Sequence, residues 1–262
     1  MFGGGLHAGL DYGGSKCAGA LIDHHARLIA FYELPIRPSW TTRDLERLGT
    51  SILEQLCAQT HTKSSQIKTC GIGVPGPVKD GSILTALRLP AIERINPRRI
   101  FPRGRFVIEN DVLCAAHAER MFGHLAKSDR GVLFMIGSGC GATMVERVGE
   151  HQAKKTRFTS VEIGHICASM SSVIQETVKE PYIVEGFCSR AFFQRHTKQS
   201  IERLLQRAED KDAEALELFA RFGAHVGATV ATIETLFKPD HIIIGGGLSR
   251  AFRFFASTMR RI

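Results

Sequence analysis

Asp11-Tyr12-Gly13-Gly14-Ser15-Lys16 gathers the groups that a phosphorylated ligand demands. An aspartate at a strand end can hold Mg²⁺ through water, while glycine amides, a hydroxyl and a lysine face phosphate oxygens. The segment is not a Walker A loop, which would need G-x-x-x-x-G-K-[ST]. Gly137-Ser138-Gly139-Cys140-Gly141 is a second Gly/Ser turn, at the equivalent place in the second half of the chain. Gly245-Gly246-Gly247-Leu248-Ser249 is a third, suited to close approach of an adenine ring or ribose, and Gly71, Gly73 and Gly76 surround Val74-Pro75. A tight turn would account for any one of these. Each follows a short aliphatic run, and the series is that of buried strands feeding loops where backbone meets a ligand. Two Gly/Ser turns in equivalent places suggest a phosphate chain held between two lobes.

The elements that must carry these turns are legible as periodicities. Leu6–Tyr12 and residues 17–22 and 28–34 are three short strands with tight connections, a meander. A second meander opens with residues 132–136 and 142–145. Thr41-x-x-Asp44 is a capping box, followed by Leu45, Leu48, Ile52, Leu53 and Leu56 at helical spacing. Residues 111–125 form a helix that begins on an acidic residue suited to its N-terminus. Residues 212–237 form another, in which Gly223 and Gly227 mark close packing rather than breaks. Strands alternating with helices give an α/β chain. Two halves with similar openings imply two similar lobes, 1–115 and 116–262.

The 262 residues, 44% of them hydrophobic, can bury a sizeable core, and no apolar run approaches the roughly 20 residues of a membrane span. The start, Met1-Phe2-Gly3-Gly4-Gly5, lacks a charged region followed by an apolar stretch, so the expected location is cytoplasmic. Seven scattered cysteines without a CxxC pair argue against a disulfide framework. The net charge of +8 suits nucleic acid, a membrane surface or an anionic small molecule. Arg98, Arg99, Arg103 and Arg105, and the group Lys154, Lys155 and Arg157, lack the aromatic interleaving and reading helix of a nucleic-acid stripe. They read as solvated loop charge.

Taken in order, the motifs resemble those of the ROK sugar kinases and repressors, within the actin, sugar-kinase and Hsp70 superfamily. The first turn is similar to the family's D-x-G-G-T-K motif, with Ser15 for threonine. Gly73-Val74-Pro75-Gly76-Pro77-Val78 resembles G-x-P-G-P-V, and Glu109-Asn110-Asp111 with Ala115-Ala116 the start of the catalytic helix. Glu162-Ile163-Gly164-His165 resembles the E-x-G-H sugar motif, Glu185 with Ser189 the close of C-L-E-x-x-x-S, and the 245–249 segment the adenosine motif. The resemblance implies an α/β fold of two actin-like, ribonuclease H-like lobes with a nucleotide and sugar cleft between them.

It also implies roles. Asp111 is the expected general base for a sugar hydroxyl attacking the γ-phosphoryl group of ATP. Asn110, Glu162, His165 and Glu185 would bind the sugar. Asp11 would position Mg²⁺, and Gly13, Gly14, Ser15, Lys16, Ser138, Gly139, Gly246 and Gly247 would hold the nucleotide. The expected reaction is phosphorylation of a primary hydroxyl of a hexose or N-acetylhexosamine. The alternative is a non-catalytic sugar-sensing regulator of the same fold. A repressor's N-terminal helix-turn-helix has no room before Leu6. Dimers are common in the family, so a homodimer is possible by resemblance alone.

Three departures stand out. The stretch after His165 lacks the family's zinc-binding cysteine spacing, and His165, Cys167 and Cys188 do not supply four ligands, so no zinc is expected. Ala86-Leu87-Arg88-Leu89-Pro90 lacks the family's asparagine-tryptophan wording, which implies an altered sugar pocket. Only Arg250 to Ile262 follow Ser249, less than the family's usual closing helices, so shortened or truncated closing helices are expected.

Overall fold

In the computed structural model the described residues are 5–37, 39–87, 89–149, 155–168 and 183–262. Met1 to Gly4, Arg88, Lys154, Ser169, Pro181 and Tyr182, which entered the sequence reading, lie outside them. The chain divides into two compact units, Met1–Cys114 and Ala115–Ile262.

In the first unit, β1 (Leu6–Tyr12), β2 (Lys16–Ile22) and β3 (Leu28–Pro35) form an antiparallel meander. Helix α1 (Thr42–Gln59) carries the chain over the sheet, so that β4 (Ile67–Val74) returns parallel to β1. After a small hairpin, β5 (Val78–Lys79) with β6 (Ser82–Ile83), and the short helix α2 (Pro97–Ile100), β7 (Arg105–Asn110) pairs parallel to β4. The strand order is β3-β2-β1-β4-β7. Helix α1 starts on the expected capping box: the Asp44 amide donates to Thr41 Oγ1, and the Thr41 amide to Asp44 Oδ2. Its leucines pack with Leu10, Cys17, Leu21, Cys70, Ile72 and Val74 in one core. Gly49 lets α1 approach the sheet, for a Cβ there would meet the Tyr12 hydroxyl.

The strand alternation sends other residues to the opposite face. Cross-strand register sets Phe31, Ala20, Gly9, Gly71 and Val107 in one row. Phe31 is 52% and Val107 66% exposed, and no described atom lies within 4 Å of a Cβ built on Gly9 or Gly71. The next row, toward the C-terminal ends of β1, β4 and β7, is Glu33, Ala18, Asp11, Gly73 and Glu109.

Helix α3 (Asp111–Phe122) follows β7 directly. It is shorter than the sequence suggests: Gly123 ends it, and a 3₁₀ turn over His124–Lys127 continues the apolar pattern. In the second unit β8 (Arg130–Ile136), β9 (Cys140–Val148) and β10 (Lys155–Val161) repeat the meander. Four helices follow among the described residues: α4 (Val184–Phe187), α5 (Arg190–His196), α6 (Ile201–Glu209) and α7 (Ala213–Phe237). Strand β11 (His241–Gly245) then joins β8 in parallel, and α8 (Phe252–Met259) comes last. The order β10-β9-β8-β11 repeats β3-β2-β1-β4, as the two similar openings imply.

This unit's core is dominated by phenylalanine: Phe134, Phe192, Phe193, Phe219, Phe222 and Phe255 are almost fully buried. Gly223 and Gly227 do mark close packing. A Cβ at either would come within 2.5 Å of a carbonyl of α8, that of Phe255 or Met259.

Candidate active site

Within the first unit, the parallel pairing of β1, β4 and β7 ends three strands side by side, and the sequence turns sharply after each. Asp11 pairs with Gly73, and Gly73 with Glu109. Gly73 matters because a Cβ there would stand 3.6 Å from Asp11 Oδ1 and 3.7 Å from Asp111 Cα. The glycine is the floor between the two aspartates. The Gly13 amide donates to the Lys16 carbonyl at 2.9 Å, closing the β1–β2 turn that presents Gly14 and Ser15. Asp11 is exposed, yet the protein packed about its carboxyl raises its pKa more than the neighbouring Lys16 ammonium lowers it.

Asn110, rather than Asp111, caps α3. Its Oδ1 accepts from the Leu113 amide at 3.0 Å, while its Nδ2 donates to the Gly76 carbonyl at 3.1 Å. Gly76 holds φ +145, and a Cβ would collide with the Thr85 carbonyl, so the loop is built to offer that acceptor. Sequence reasoning saw Gly76 as part of a motif but not its bond to Asn110. With capping done by its neighbour, Asp111 Oδ1 accepts from the Val112 amide at 2.8 Å, and its own amide also faces the carboxylate. Burial, with help from the Asp11 charge and against the two amides, pushes its pKa up to about 6. A carboxylate titrating there is a serviceable proton acceptor near neutral pH.

In the second unit, parallel pairing of β8 and β11 does for two glycine turns what it does for two aspartates in the first. Gly245 pairs with Met135, so both strands end together. A Cβ on Gly137 would lie 3.7 Å from the Gly247 amide, and one on Gly246 would strike the Ile136 carbonyl. Gly246 also has φ +88, a conformation open to glycine at low cost. The Arg190 amide donates to the Gly137 carbonyl at 2.8 Å, tying the start of α5 to the first of these turns.

Glu185 lies in the first turn of α4, and its Oε2 accepts from the Cys140 amide at 3.1 Å. It therefore braces the Gly137–Gly141 turn, a contact its motif did not announce. Gly164 packs against Cys140 as well, with its would-be Cβ 2.5 Å from the Cys140 carbonyl. That brings the Glu162–His165 turn to the same place. His165 Nδ1 lies 3.0 Å from Glu162 Oε2, and both side chains remain exposed. Ser138 and Gly139 sit in the turn itself, partly buried.

Metal chemistry can be tested on the donors present. Among the described residues no three His, Cys, Asp or Glu side chains gather as a metal cluster. Mg²⁺ asks for less: one or two carboxylates, with water and phosphate oxygens completing its octahedron. Asp11, exposed beside a phosphate-type turn, fits that requirement. Cys188 is buried, with its thiol 3.2 Å from Thr229 Oγ1, and Cys167 is exposed on the loop after His165.

A glucokinase of Streptomyces coelicolor is 25% identical over 94% of this chain and 83% of its own length. Among solved structures, a ROK family glucokinase from Streptomyces griseus, in complex with glucose and AMPPNP, has a TM-score of 0.74 at 22% identity. The match covers 98% of this chain and 88% of that one. A ROK family transcriptional regulator, a homolog of the E. coli Mlc protein, has a TM-score of 0.73 at 22% identity, covering 98% and 69%. These likenesses show the actin-like α/β fold. The ROK family model itself matches residues 7–262, nearly every strand, turn and helix described above, and the chain belongs to the ROK family.

Proposed function

We propose that this protein is a sugar kinase that transfers the γ-phosphoryl group of ATP to a primary hydroxyl of a hexose or N-acetylhexosamine. The observation that carries the reading is Asp111: a carboxylate at the head of a helix, freed from capping by Asn110, with its pKa raised to about 6. As the new P–O bond forms and the bond from the γ-phosphorus to the β,γ-bridging oxygen breaks, the attacking hydroxyl loses its proton to Asp111 and ADP leaves. Asn110 holds one sugar hydroxyl, and Glu162, His165 and Glu185 supply the mixed donors and acceptors that further hydroxyls demand. The turn at Gly13, Gly14 and Ser15 and the amides around Ser138 and Gly139 take the phosphates, with Lys16 as counter-charge. Gly246 and Gly247 allow the backbone to approach the nucleoside. Asp11 would hold Mg²⁺, which when bound would supply charge neutralisation at the phosphates.

The curated glucokinase relative supports phosphorylation of a sugar; the likeness to a transcriptional regulator favours a second reading, a sugar sensor without catalysis. A coupled assay with ATP, Mg²⁺ and a panel of hexoses and N-acetylhexosamines separates them. Turnover on at least one sugar is expected. Asp111→Ala should lower kcat about 10²–10⁴-fold while sugar and nucleotide still bind, as calorimetry would show. Sugar binding without phosphorylation of any member of the panel would establish the sensor.

A further inference from the structure

Lys16 does not project freely into the phosphate turn. Its ammonium lies 2.6 Å from Glu33 Oε2, and the two side chains are 52% and 44% exposed. The register explains the encounter. Ala18 pairs with Glu33 and Lys16 with Pro35, so Lys16 and Glu33 are diagonal neighbours on one face of β2 and β3, a span that long side chains cover. Asp11 stands on the same face, opposite Ala18. Lys16 thus has a carboxylate on either side and bonds the one on β3. The backbone beneath is fixed, because the Ile36 amide donates to the Ser15 carbonyl at 2.8 Å and ties the end of β3 to the turn.

We propose that Glu33 is a positioning residue that competes with the phosphoryl donor for Lys16, so that donor affinity depends on how much negative charge arrives to displace the carboxylate. This rests on the reading of the Asp11–Lys16 turn as a phosphate site. An ammonium is a point charge on a flexible stem with three donors, able to swing between partners. An exposed ion pair is weak, so exchange of Glu33 for a phosphate oxygen costs little. A triphosphate makes the exchange more readily than a diphosphate, and Lys16 returns to Glu33 as the diphosphate leaves.

The test compares wild type, Glu33→Gln, Lys16→Met and the double variant by calorimetric titration with ADP and with AMPPNP, alongside steady-state kinetics. Glu33→Gln should tighten AMPPNP about three- to fivefold and ADP by that factor or less, and lower the KM for ATP similarly while leaving the sugar KM unchanged. In the Lys16→Met background the same change should do nothing. Unchanged or weaker nucleotide binding by Glu33→Gln overturns the proposal, as does an effect that survives without Lys16. If wild type binds no nucleotide, the kinase reading falls and takes the proposal with it. If wild type phosphorylates sugar and Glu33→Gln behaves identically, the role of Glu33 alone is refuted.

Discussion

At the scale of single residues, Asp111 sets the pH behaviour expected of the protein. In the proposed role of general base, with its pKa near 6, it would be ionised above that value and protonated below it, so kcat/KM should fall as pH drops through about 6. An ordinary carboxylate would hold activity to about pH 4. The same shift has a sign in stability. The folded pKa lies above the unfolded one, so the contribution of Asp111 is fully present below about pH 4 and is lost as pH rises through 6. Asp111→Asn should therefore be more stable than wild type at pH 7–8, by something like 1–2 kcal/mol in urea melts, with the gap closing below pH 4. The motif made Asp111 visible in the sequence. What lay hidden was that Asn110 performs the capping, because both residue types cap helices and only geometry shows whose oxygen meets the Leu113 amide. Glu33 was likewise unreadable: its link to Lys16 depends on a hairpin register, and nothing in its neighbours advertises it.

At the scale of elements, parallel strand pairs do the positioning. The glycine turns after β8 and β11 touch because those strands end in register. Gly246 is the tightest point, with a positive φ and the Ile136 carbonyl where a side chain would begin. Gly246→Ala should cost about 2–4 kcal/mol in equilibrium unfolding and weaken nucleotide binding more than sugar binding, as paired titrations would reveal. A change of similar size in both affinities would place Gly246 away from the nucleotide. The existence of these elements was legible from sequence, since period-2 runs before glycines and the Thr41–Asp44 box are strong local signals. Their ends were less so. The helix at 111 stops at Phe122 because Gly123 interrupts it, whereas Leu125 still fits the apolar rhythm from inside a 3₁₀ turn.

At the scale of the whole molecule, the order of the first four strands recurs in the second unit, and each unit has glycine turns where parallel strands end. The duplication was legible because both meanders open with the same rhythm. The segment 169–182, where the chain departs from the family's cysteine spacing, lies outside the described residues. The +8 charge is likewise not absorbed by the site. Arg98 stacks over Phe106, and Arg99 pairs with Glu46, as solvated charge braced on its own unit. Ligands that bind only the folded chain should stabilise it by mass action, by about 2.7 kcal/mol at a hundredfold excess over Kd, and so raise its melting temperature. A thermal-shift panel of sugars with and without AMPPNP should single out the cognate sugar. A flat response to every sugar, with a shift from nucleotide alone, would point to an acceptor of another kind.

The open row across the first sheet has one more consequence. Gly9 and Gly71 occupy the middle of strands, where glycine forfeits about 0.5–1 kcal/mol relative to alanine, and no described atom stands in the way of a methyl group. Gly71→Ala should therefore strengthen the fold by that amount in urea melts, whereas Gly49→Ala, driven into the Tyr12 hydroxyl, should weaken it. Two neighbouring strands thus hold stability in reserve. A chain with such slack can absorb the costs of altering its surface loops, which is the latitude that divergence in function requires.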